Sequence, residues 1–244
     1  MVSAGTQPEV QIPQHPVSPV SRTHRWIDLG LVLLVAFAVS ILGSIFRAFH
    51  PGPVNYSNAR VVLGMIDEAI PLVLLFVLLK RQGRSLQVLG FSFRWTDGLK
   101  ALGLTLAGFI ALFIGFVAIR FFYYSFTLHA FTDSGAHNNF SAASVWLILP
   151  FMVLNGFHEE VIVRGYLMTE WIELRGSAQM AGFISLAVQT SYHLYYGVFG
   201  ALMVGCGLSV FAIYYAKSRR LMPVILAHIF WDLITVFSRL HSGS

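Results

Sequence analysis

The sequence predicts an all-α membrane protein, built as a bundle of about seven to eight transmembrane helices. Of its 244 residues, 56% are hydrophobic and only 11% are charged, whereas a soluble domain has about 25% charged residues. The apolar segments approach the length of about 20 residues that an α-helix needs to cross a hydrocarbon core of about 30 Å. These observations exclude an ordinary soluble domain.

Seven apolar segments are long enough to be membrane helices. The fourth is expected to form one long helix, and an eighth, broken or re-entrant segment near 120–130 is an alternative. In the sixth, Gly200, Gly205 and Gly207 would allow a neighbouring helix to approach closely. The predicted helices are 26–47, 59–80, 99–124, 144–173, 178–196, 198–217 and 221–239.

The lysines and arginines predict the orientation of these helices. If the N-terminus is cytoplasmic, eleven basic residues lie on inner segments and only three on outer ones, as is typical of membrane proteins. The inner ones are Arg22, Arg25, Lys80, Arg81, Arg84, Arg94, Lys100, Arg175, Lys217, Arg219 and Arg220, and the outer ones are Arg47, Arg60 and Arg239. The compact chain has no eukaryotic targeting signal, so a bacterial plasma membrane is expected.

The composition also bounds the domain organisation and the partners. Residues 1–24 contain four prolines and no apolar period, so a disordered tail is expected before a membrane domain at 25–241. The net charge of +5 is not accompanied by an RNA- or DNA-binding module, so the lipid bilayer and not nucleic acid is the expected partner. Cys206 is the only cysteine, which excludes an internal disulfide and a cysteine-based zinc site.

Glu159, Glu160 and Arg164 form a charged cluster inside an apolar segment. Such residues cost a few kcal/mol or more in a membrane, so they are normally paired and functional. Glu160 and Arg164, four residues apart, can form an ion pair on one face of an α-helix. Glu159 is turned by about 100° from Glu160, so it stays outside this ion pair and can serve a functional role. His158 invites comparison with the zinc-binding H-E-x-x-H helix, but Ile162 stands where the second histidine would be.

His193, His228 and Asp232 lie on two later helices. Gln189 precedes His193 by one turn and can orient its ring. His228 and Asp232 are about 40° apart around a helix, so they can bond to each other or point together into a cavity. The structural alternatives are a buried core histidine for His193 and a simple intrahelical pair for the other two.

Asp67 and Glu68 are interpreted differently, as structural or interfacial residues. Adjacent acids cannot face the same way on a helix, and Pro71 distorts the helix just after them. They are expected near its outer end, with Arg60 within reach. They are therefore left out of the catalytic set.

The residues of the three later helices suit the hydrolysis of an amide by water. A histidine and a carboxylate can together deprotonate a water molecule, and a second histidine with its partner can stabilise the oxyanion of a tetrahedral intermediate. The same groups could instead bind a divalent metal such as zinc, with Glu159, His193 and His228 as ligands. No serine or cysteine is placed as an obvious nucleophile.

Three motifs resemble those of the CAAX protease and bacteriocin-processing family, abbreviated CPBP and also called Abi. "EEVIVRGYL" resembles its E-E-x-x-x-R motif, "QTSYH" its F-x-x-x-H motif and "HIFWD" its H-x-x-x-N/D motif. The resemblance covers about residues 80–240. It implies an intramembrane endopeptidase with the CAAX-protease-like fold, in which Glu159 is the base that activates water together with His193.

The resemblance also implies roles for the remaining residues. Glu160 and Arg164 would support and position the site, and His228 and Asp232 would form the side that stabilises the oxyanion. Two positions depart from the family pattern. Gln189 stands where the family usually has Phe, which would alter the substrate groove or the orientation of His193. Asp232 stands where prenyl-protein proteases tend to have Asn, and because an ionised Asp would repel an oxyanion, this departure favours a metal.

The leading hypothesis is a CPBP-type peptidase, either a metalloprotease or a metal-independent glutamate protease. Bacteria generally lack prenylated CAAX proteins, so the expected substrate is a peptide, a bacteriocin leader or a segment of a membrane protein. A non-catalytic immunity or accessory protein that keeps the fold is an alternative. A small-solute transporter is a further one, although the span order shows no internal repeat.

Overall fold

The computed structural model describes residues 20–50, 52–127, 138–140 and 142–242, and this part of the chain is almost entirely helical. The π-helical segment Glu160–Leu167 joins α4 to α5, so that Val145–Arg175 is one continuous helix. The described residues therefore form seven helices, which confirms the predicted all-α bundle. The helices are α1 (Arg22–Phe49), α2 (Asn58–Arg81), α3 (Asp97–Thr127), α4 (Val145–Glu159), α5 (Met168–Arg175), α6 (Ala178–Tyr192), α7 (Gly197–Ser218) and α8 (Met222–Ser242).

Within the described ranges, five helices are long and apolar enough to cross a membrane. They are α1, α2, α3, the continuous helix Val145–Arg175, and α7 extended by the 3-10 turn that precedes it, Leu194–Ser218. The apolar stretch Met222–Ser238 of α8 is shorter. With 15 residues, α6 is only about 22 Å long. It ends at Tyr192, four residues before the predicted end at 196, because the chain bends into the separate turn Leu194–Tyr196.

The structure changes two details of the predicted segment boundaries. α3 runs unbroken to Thr127, so the described part of 120–130 belongs to the third helix and not to a re-entrant segment. α1 begins at Arg22, where the side chain of Ser21 accepts a hydrogen bond from the backbone N–H of His24. The last residues of the predicted tail 1–24 are thus helical, and residues 1–19 lie outside the described part of the chain.

One end of the bundle is joined by ion pairs between different helices. The fully buried Glu170 of α5 accepts a hydrogen bond from Arg25 of α1 at 2.8 Å and a second from Arg84, which follows α2. Beside it, Thr169 accepts a hydrogen bond from Arg219, which follows α7, at 3.0 Å. The three arginines were predicted on the same side of the membrane, and the structure places them at the same end of the bundle.

Two of the three glycines singled out in the sixth segment lie where helices approach closely. A side chain at Gly207 would come within 3.0 Å of the backbone oxygen of Gly108 on α3. A side chain at Gly205 would come within 2.7 Å of an α6 side chain. For Gly200 the prediction is wrong, because its nearest neighbour is Tyr196, in the turn just before α7, and not another helix.

The turn before α3 contains a glycine that the packing requires. Gly90 has a φ of +77°, and its carbonyl oxygen accepts a hydrogen bond from the N–H of Leu221 at 3.0 Å. A methyl group at Gly90 would lie 1.9 Å from the backbone oxygen of Arg219. Gly83 also has a positive φ, of +67°, but has open space around it.

We expect Gly90→Ala to lower the thermal unfolding midpoint in detergent more than Gly83→Ala does. Both substitutions carry the cost of a left-handed backbone, about 1–2 kcal/mol, but only Gly90→Ala adds a collision with a backbone atom. The two midpoints are compared with that of the unsubstituted protein in the same detergent. Equal shifts of the two midpoints would show that the backbone at Gly90 can move away from Arg219 without further loss of stability.

Candidate active site

The segment that carries the two adjacent glutamates is a π-helix and not the predicted α-helix. All eight residues of Glu160–Leu167 are buried. In a π-helix each turn holds more residues, because hydrogen bonds run from i to i+5, and such segments are frequent at functional sites. Successive side chains are therefore rotated by less than the 100° of an α-helix. This explains how Glu159 and Glu160, on either side of the α4–π boundary, both face α6.

Among the described residues, three hydrogen bonds fix the carboxylate of Glu159. Its Oε2 accepts one from the hydroxyl of Tyr192 at 2.5 Å and one from Nε2 of Gln189 at 3.1 Å. Its Oε1 accepts one from Nδ2 of Asn155, one turn earlier on α4, at 3.3 Å. A carboxylate oxygen can accept about two hydrogen bonds. With respect to the part of the chain that the structure describes, the Oε1 atom of Glu159 therefore retains one position at which it can accept a proton.

Glu160 is held between a histidine and an arginine. Its Oε1 lies 2.7 Å from Nδ1 of His228, and its Oε2 lies 3.6 Å from Nε of Arg164. The side chains of Glu160 and Arg164 are both fully buried, so the predicted pairing of these two residues is confirmed. Arg164 also donates a hydrogen bond to the backbone oxygen of Leu208 on α7, at 3.1 Å. This pair ties the π segment to two other helices.

His228 of α8 lies between three carboxylates. Its Nδ1 faces Glu160, and its Nε2 is 3.9 Å from Oε2 of Glu159 and 3.7 Å from Oδ1 of Asp232. The distance to Asp232 is too long for a direct hydrogen bond. Of the two alternatives for His228 and Asp232, pointing together into one site therefore describes the geometry better than an intrahelical bond.

His193 lies at the C-terminal cap of α6, next to this cluster. Its Nδ1 is 2.8 Å from the backbone oxygen of Gln189, which leaves Nε2 free of that contact. Its ring is flanked by Tyr192, with ring centroids 4.9 Å apart. It is close enough to Glu159 for an electrostatic interaction. The two residues predicted to activate water thus both contact Tyr192, Glu159 through its hydroxyl and His193 through its ring.

The side chain of Gln189 makes different contacts from the predicted one. Its side chain was expected to orient His193, but the backbone carbonyl of Gln189 makes that contact. The fully buried side-chain amide instead bridges the two glutamates, with Nε2 3.1 Å from Glu159 and 3.4 Å from Glu160. Gln189, which stands where the family usually has Phe, therefore donates hydrogen bonds directly to both carboxylates.

Sequence reasoning missed three residues of this cluster. Tyr192 and Asn155 both donate to Glu159, and Asn155 also donates to Oε1 of Glu68 at 2.8 Å. Glu68 had been placed outside the site, near Arg60, but Arg60 instead donates to the backbone oxygen of Asn55 and lies over the ring of Tyr56. The spacing of Asn155 and Glu159, one helical turn, was the one available signal.

The predicted metal ligands do not form a metal site in this arrangement. Among the described residues, no group of three or more His, Cys, Asp or Glu side chains is placed to hold a metal ion. Nδ1 of His228 is taken up by Glu160, and its Nε2 lies 3.9 Å from Glu159. Zinc ligands would have to lie at about 2.0–2.2 Å from a shared ion. Within the described residues, Glu159, His193 and His228 do not form such a group.

Comparison with known proteins agrees with the motifs. Residues 141–234 match the family model described as type II CAAX prenyl endopeptidase Rce1-like. The matched segment contains all six predicted site residues, from Glu159 to Asp232. Searches of the curated proteins and of the solved structures gave no significant match. Residues 141–234 therefore belong to the CAAX protease and bacteriocin-processing family of intramembrane peptidases, and they lie within an integral membrane protein whose described residues form seven helices.

Proposed function

We propose that the protein is an endopeptidase that hydrolyses a peptide bond within the membrane through a water activated by Glu159 and His193. The observation that carries this proposal is the fixed carboxylate of Glu159, whose described partners leave one accepting position free on Oε1. A base held in one orientation beside a histidine is the arrangement that general-base catalysis needs. Family membership supports the same type of reaction.

The first step is the attack of water on the carbonyl carbon. Oε1 of Glu159 takes one proton of the water, while Nε2 of His193 accepts a hydrogen bond from the other. The Nδ1 contact of His193 with the oxygen of Gln189 favours the tautomer in which Nδ1 carries the proton and Nε2 accepts. The C–O bond forms as the carbonyl π electrons move to oxygen, which gives a tetrahedral oxyanion.

The second step is the breakdown of this intermediate. With a proton on Nε2, His228 can donate a hydrogen bond to the oxyanion, because its Nε2 is directed toward the space between Glu159 and Asp232. The C–N bond then breaks, and the proton held by Glu159 passes to the leaving nitrogen. Glu160 and Arg164 act indirectly, since Glu160 fixes His228 and Arg164 fixes Glu160.

The proposed substrate is a membrane-associated peptide or a segment of a membrane protein. The site is formed by the buried π segment and by helices of an apolar bundle, so a soluble, charged chain would pay a desolvation cost on entering. The excess of basic residues on the predicted inner segments supports a cytoplasmic N-terminus, and a bacterial plasma membrane is proposed as the location.

The proposal is tested with the full-length protein reconstituted into vesicles together with a bacterial membrane-protein fraction. New peptide termini, mapped by mass spectrometry, are expected with the unsubstituted protein and not with His193→Ala. Cleavage is also expected to persist in EDTA, because the proposed steps use only side chains. Loss of cleavage in EDTA with recovery on adding zinc would replace this mechanism by metal catalysis.

A non-catalytic protein that keeps the fold is a second candidate, and one observation favours it. The amide of Gln189 occupies accepting positions on both glutamates where the family usually has an apolar Phe. If the protein has lost activity, no new termini appear, and Glu159→Gln leaves any cellular phenotype unchanged. If Gln189 only restrains activity, Gln189→Phe increases the number of cleaved sites.

A further inference from the structure

Asn155 connects the proposed catalytic base to an acidic residue on another helix. Its Nδ2 lies 2.8 Å from Oε1 of Glu68 on α2 and 3.3 Å from Oε1 of Glu159. One amide nitrogen thus donates to two carboxylates, using both of its hydrogens. Neither Asn155 nor Glu68 belongs to the three motifs discussed above.

The two carboxylates determine which way the amide of Asn155 points. An asparagine side chain can be rotated to exchange its oxygen and nitrogen, and the hydrogen-bond network decides between the orientations. The Oε1 atoms of Glu68 and Glu159 both accept a hydrogen bond from Nδ2 of Asn155, as carboxyl oxygens can. Glu68 and Glu159 therefore both favour the orientation with nitrogen toward them, and without Glu68 the amide of Asn155 would lose one of its two restraints.

The packing of α2 against α4 holds Glu68 in register with Asn155. Gly64, one turn before Glu68, faces Phe151, one turn before Asn155, and a methyl group at Gly64 would come within 3.0 Å of that ring. The Gly64–Phe151 contact and the Glu68–Asn155 hydrogen bond are thus separated by one turn on both helices. Oε2 of Glu68 is buried and has no hydrogen-bond partner within the described part of the chain. The side chain of Glu68 therefore makes one hydrogen bond there, which Oε1 accepts from Asn155.

We propose that Glu68 and Asn155 are positioning residues for the reaction: Glu68 fixes the amide of Asn155, and Asn155 fixes the reacting oxygen of Glu159. This inference rests on the proposed role of Glu159 as the base. Oε1 is the oxygen with the free accepting position, and Asn155 is its one donor among the described residues. The direction of the remaining lone pair toward water therefore depends on Asn155. Neither positioning residue contacts the substrate.

The test measures kcat and KM of reconstituted variants on a quenched fluorescent peptide that contains a bond cleaved in the terminus-mapping experiment. Asn155→Leu is expected to lower kcat about 10- to 100-fold, the range for a misplaced reacting group, and to leave KM within about twofold. Glu68→Leu should lower kcat by less, and Glu68→Gln, which keeps an accepting oxygen, by less again. The Glu68→Leu/Asn155→Leu double variant should be no slower than Asn155→Leu, because Glu68 acts through Asn155.

Asp67→Asn is the matched control. Asp67 is the adjacent acid on the same helix, but it is exposed, so its loss should leave kcat unchanged. Additive losses in the double variant, or equal losses in Glu68→Gln and Glu68→Leu, would assign Glu68 a charge effect and overturn the positioning role. A wild-type kcat in Asn155→Leu would overturn the whole inference.

An infrared measurement separates this inference from the proposed function. The carboxylate stretching band of Glu159 is assigned from the difference between the unsubstituted protein and Glu159→Gln. Asn155→Leu should shift this band and Asp67→Asn should not, whether or not the protein cleaves peptides. A shifted band together with full turnover in Glu159→Gln would reject the catalytic role of Glu159 and retain the contact. An unshifted band would reject the contact itself.

Discussion

Replacing Glu159 is expected to lower kcat by about 10²- to 10⁴-fold, the range that a general base contributes. Glu159→Gln keeps the shape but not the proton-accepting oxygen pair. Three donors face this carboxylate, from Asn155, Gln189 and Tyr192. The NH₂ group of a glutamine at position 159 would therefore point a donor at one of these donors. Glu159→Ala avoids this conflict. Both variants are therefore measured on the peptide that the unsubstituted protein cleaves.

The thermal midpoint of each Glu159 variant separates loss of chemistry from loss of fold. If Glu159 is the base, kcat falls to a similar extent in both variants, although Glu159→Gln sets one buried donor against another and Glu159→Ala leaves the three donors without their acceptor. An unmatched buried donor costs about 1–3 kcal/mol. Undiminished turnover in Glu159→Ala with an intact fold would reject the proposed mechanism. If kcat falls only as far as the thermal midpoint falls, Glu159 has a structural role.

Arg164→Met is expected to lower the free energy of unfolding by about 3–5 kcal/mol, the cost of removing one partner of a buried ion pair. The side chains of Arg164 and Glu160 are both fully buried. Without Arg164, Glu160 retains His228 and Gln189 but loses the arginine charge, and the backbone oxygen of Leu208 loses its donor. The measurement is unfolding by SDS titration in mixed micelles.

Two further variants test the cause of this destabilisation. Arg164→Lys keeps the charge without the planar group that spans Glu160 and Leu208, so its loss should be smaller. Adding Glu160→Gln to Arg164→Met should recover part of the lost stability, because the uncompensated charge is then removed. No recovery in the double variant would mean that packing, and not the ion pair, is responsible.

Hydropathy and helix phase predicted the architecture well, because a membrane helix is specified by local composition and length. The seven helices lie close to the predicted segments, and the continuous fourth one ends at Arg175, near the predicted 173. Rare charges in apolar segments likewise pointed to the site, since the cost of burying them acts at each residue separately. The pairing of Glu160 with Arg164 followed from spacing alone.

Other features could be decided only by the tertiary structure. The π segment brings Glu159 and Glu160 to one amide, that of Gln189, although α-helical phase separates them. The distance of Gln189 from both carboxylates depends on how α6 packs against the π segment, and no local pattern encodes that packing.

The sequence by itself therefore determined the membrane bundle, the family motifs and most residues of the candidate site. The tertiary structure decided which partner each of those residues has. Tyr192, Asn155 and Glu68 joined the site because three helices meet there. The physical reason is that burial costs are local to a residue, whereas a hydrogen bond between helices exists only when their register and distance allow it.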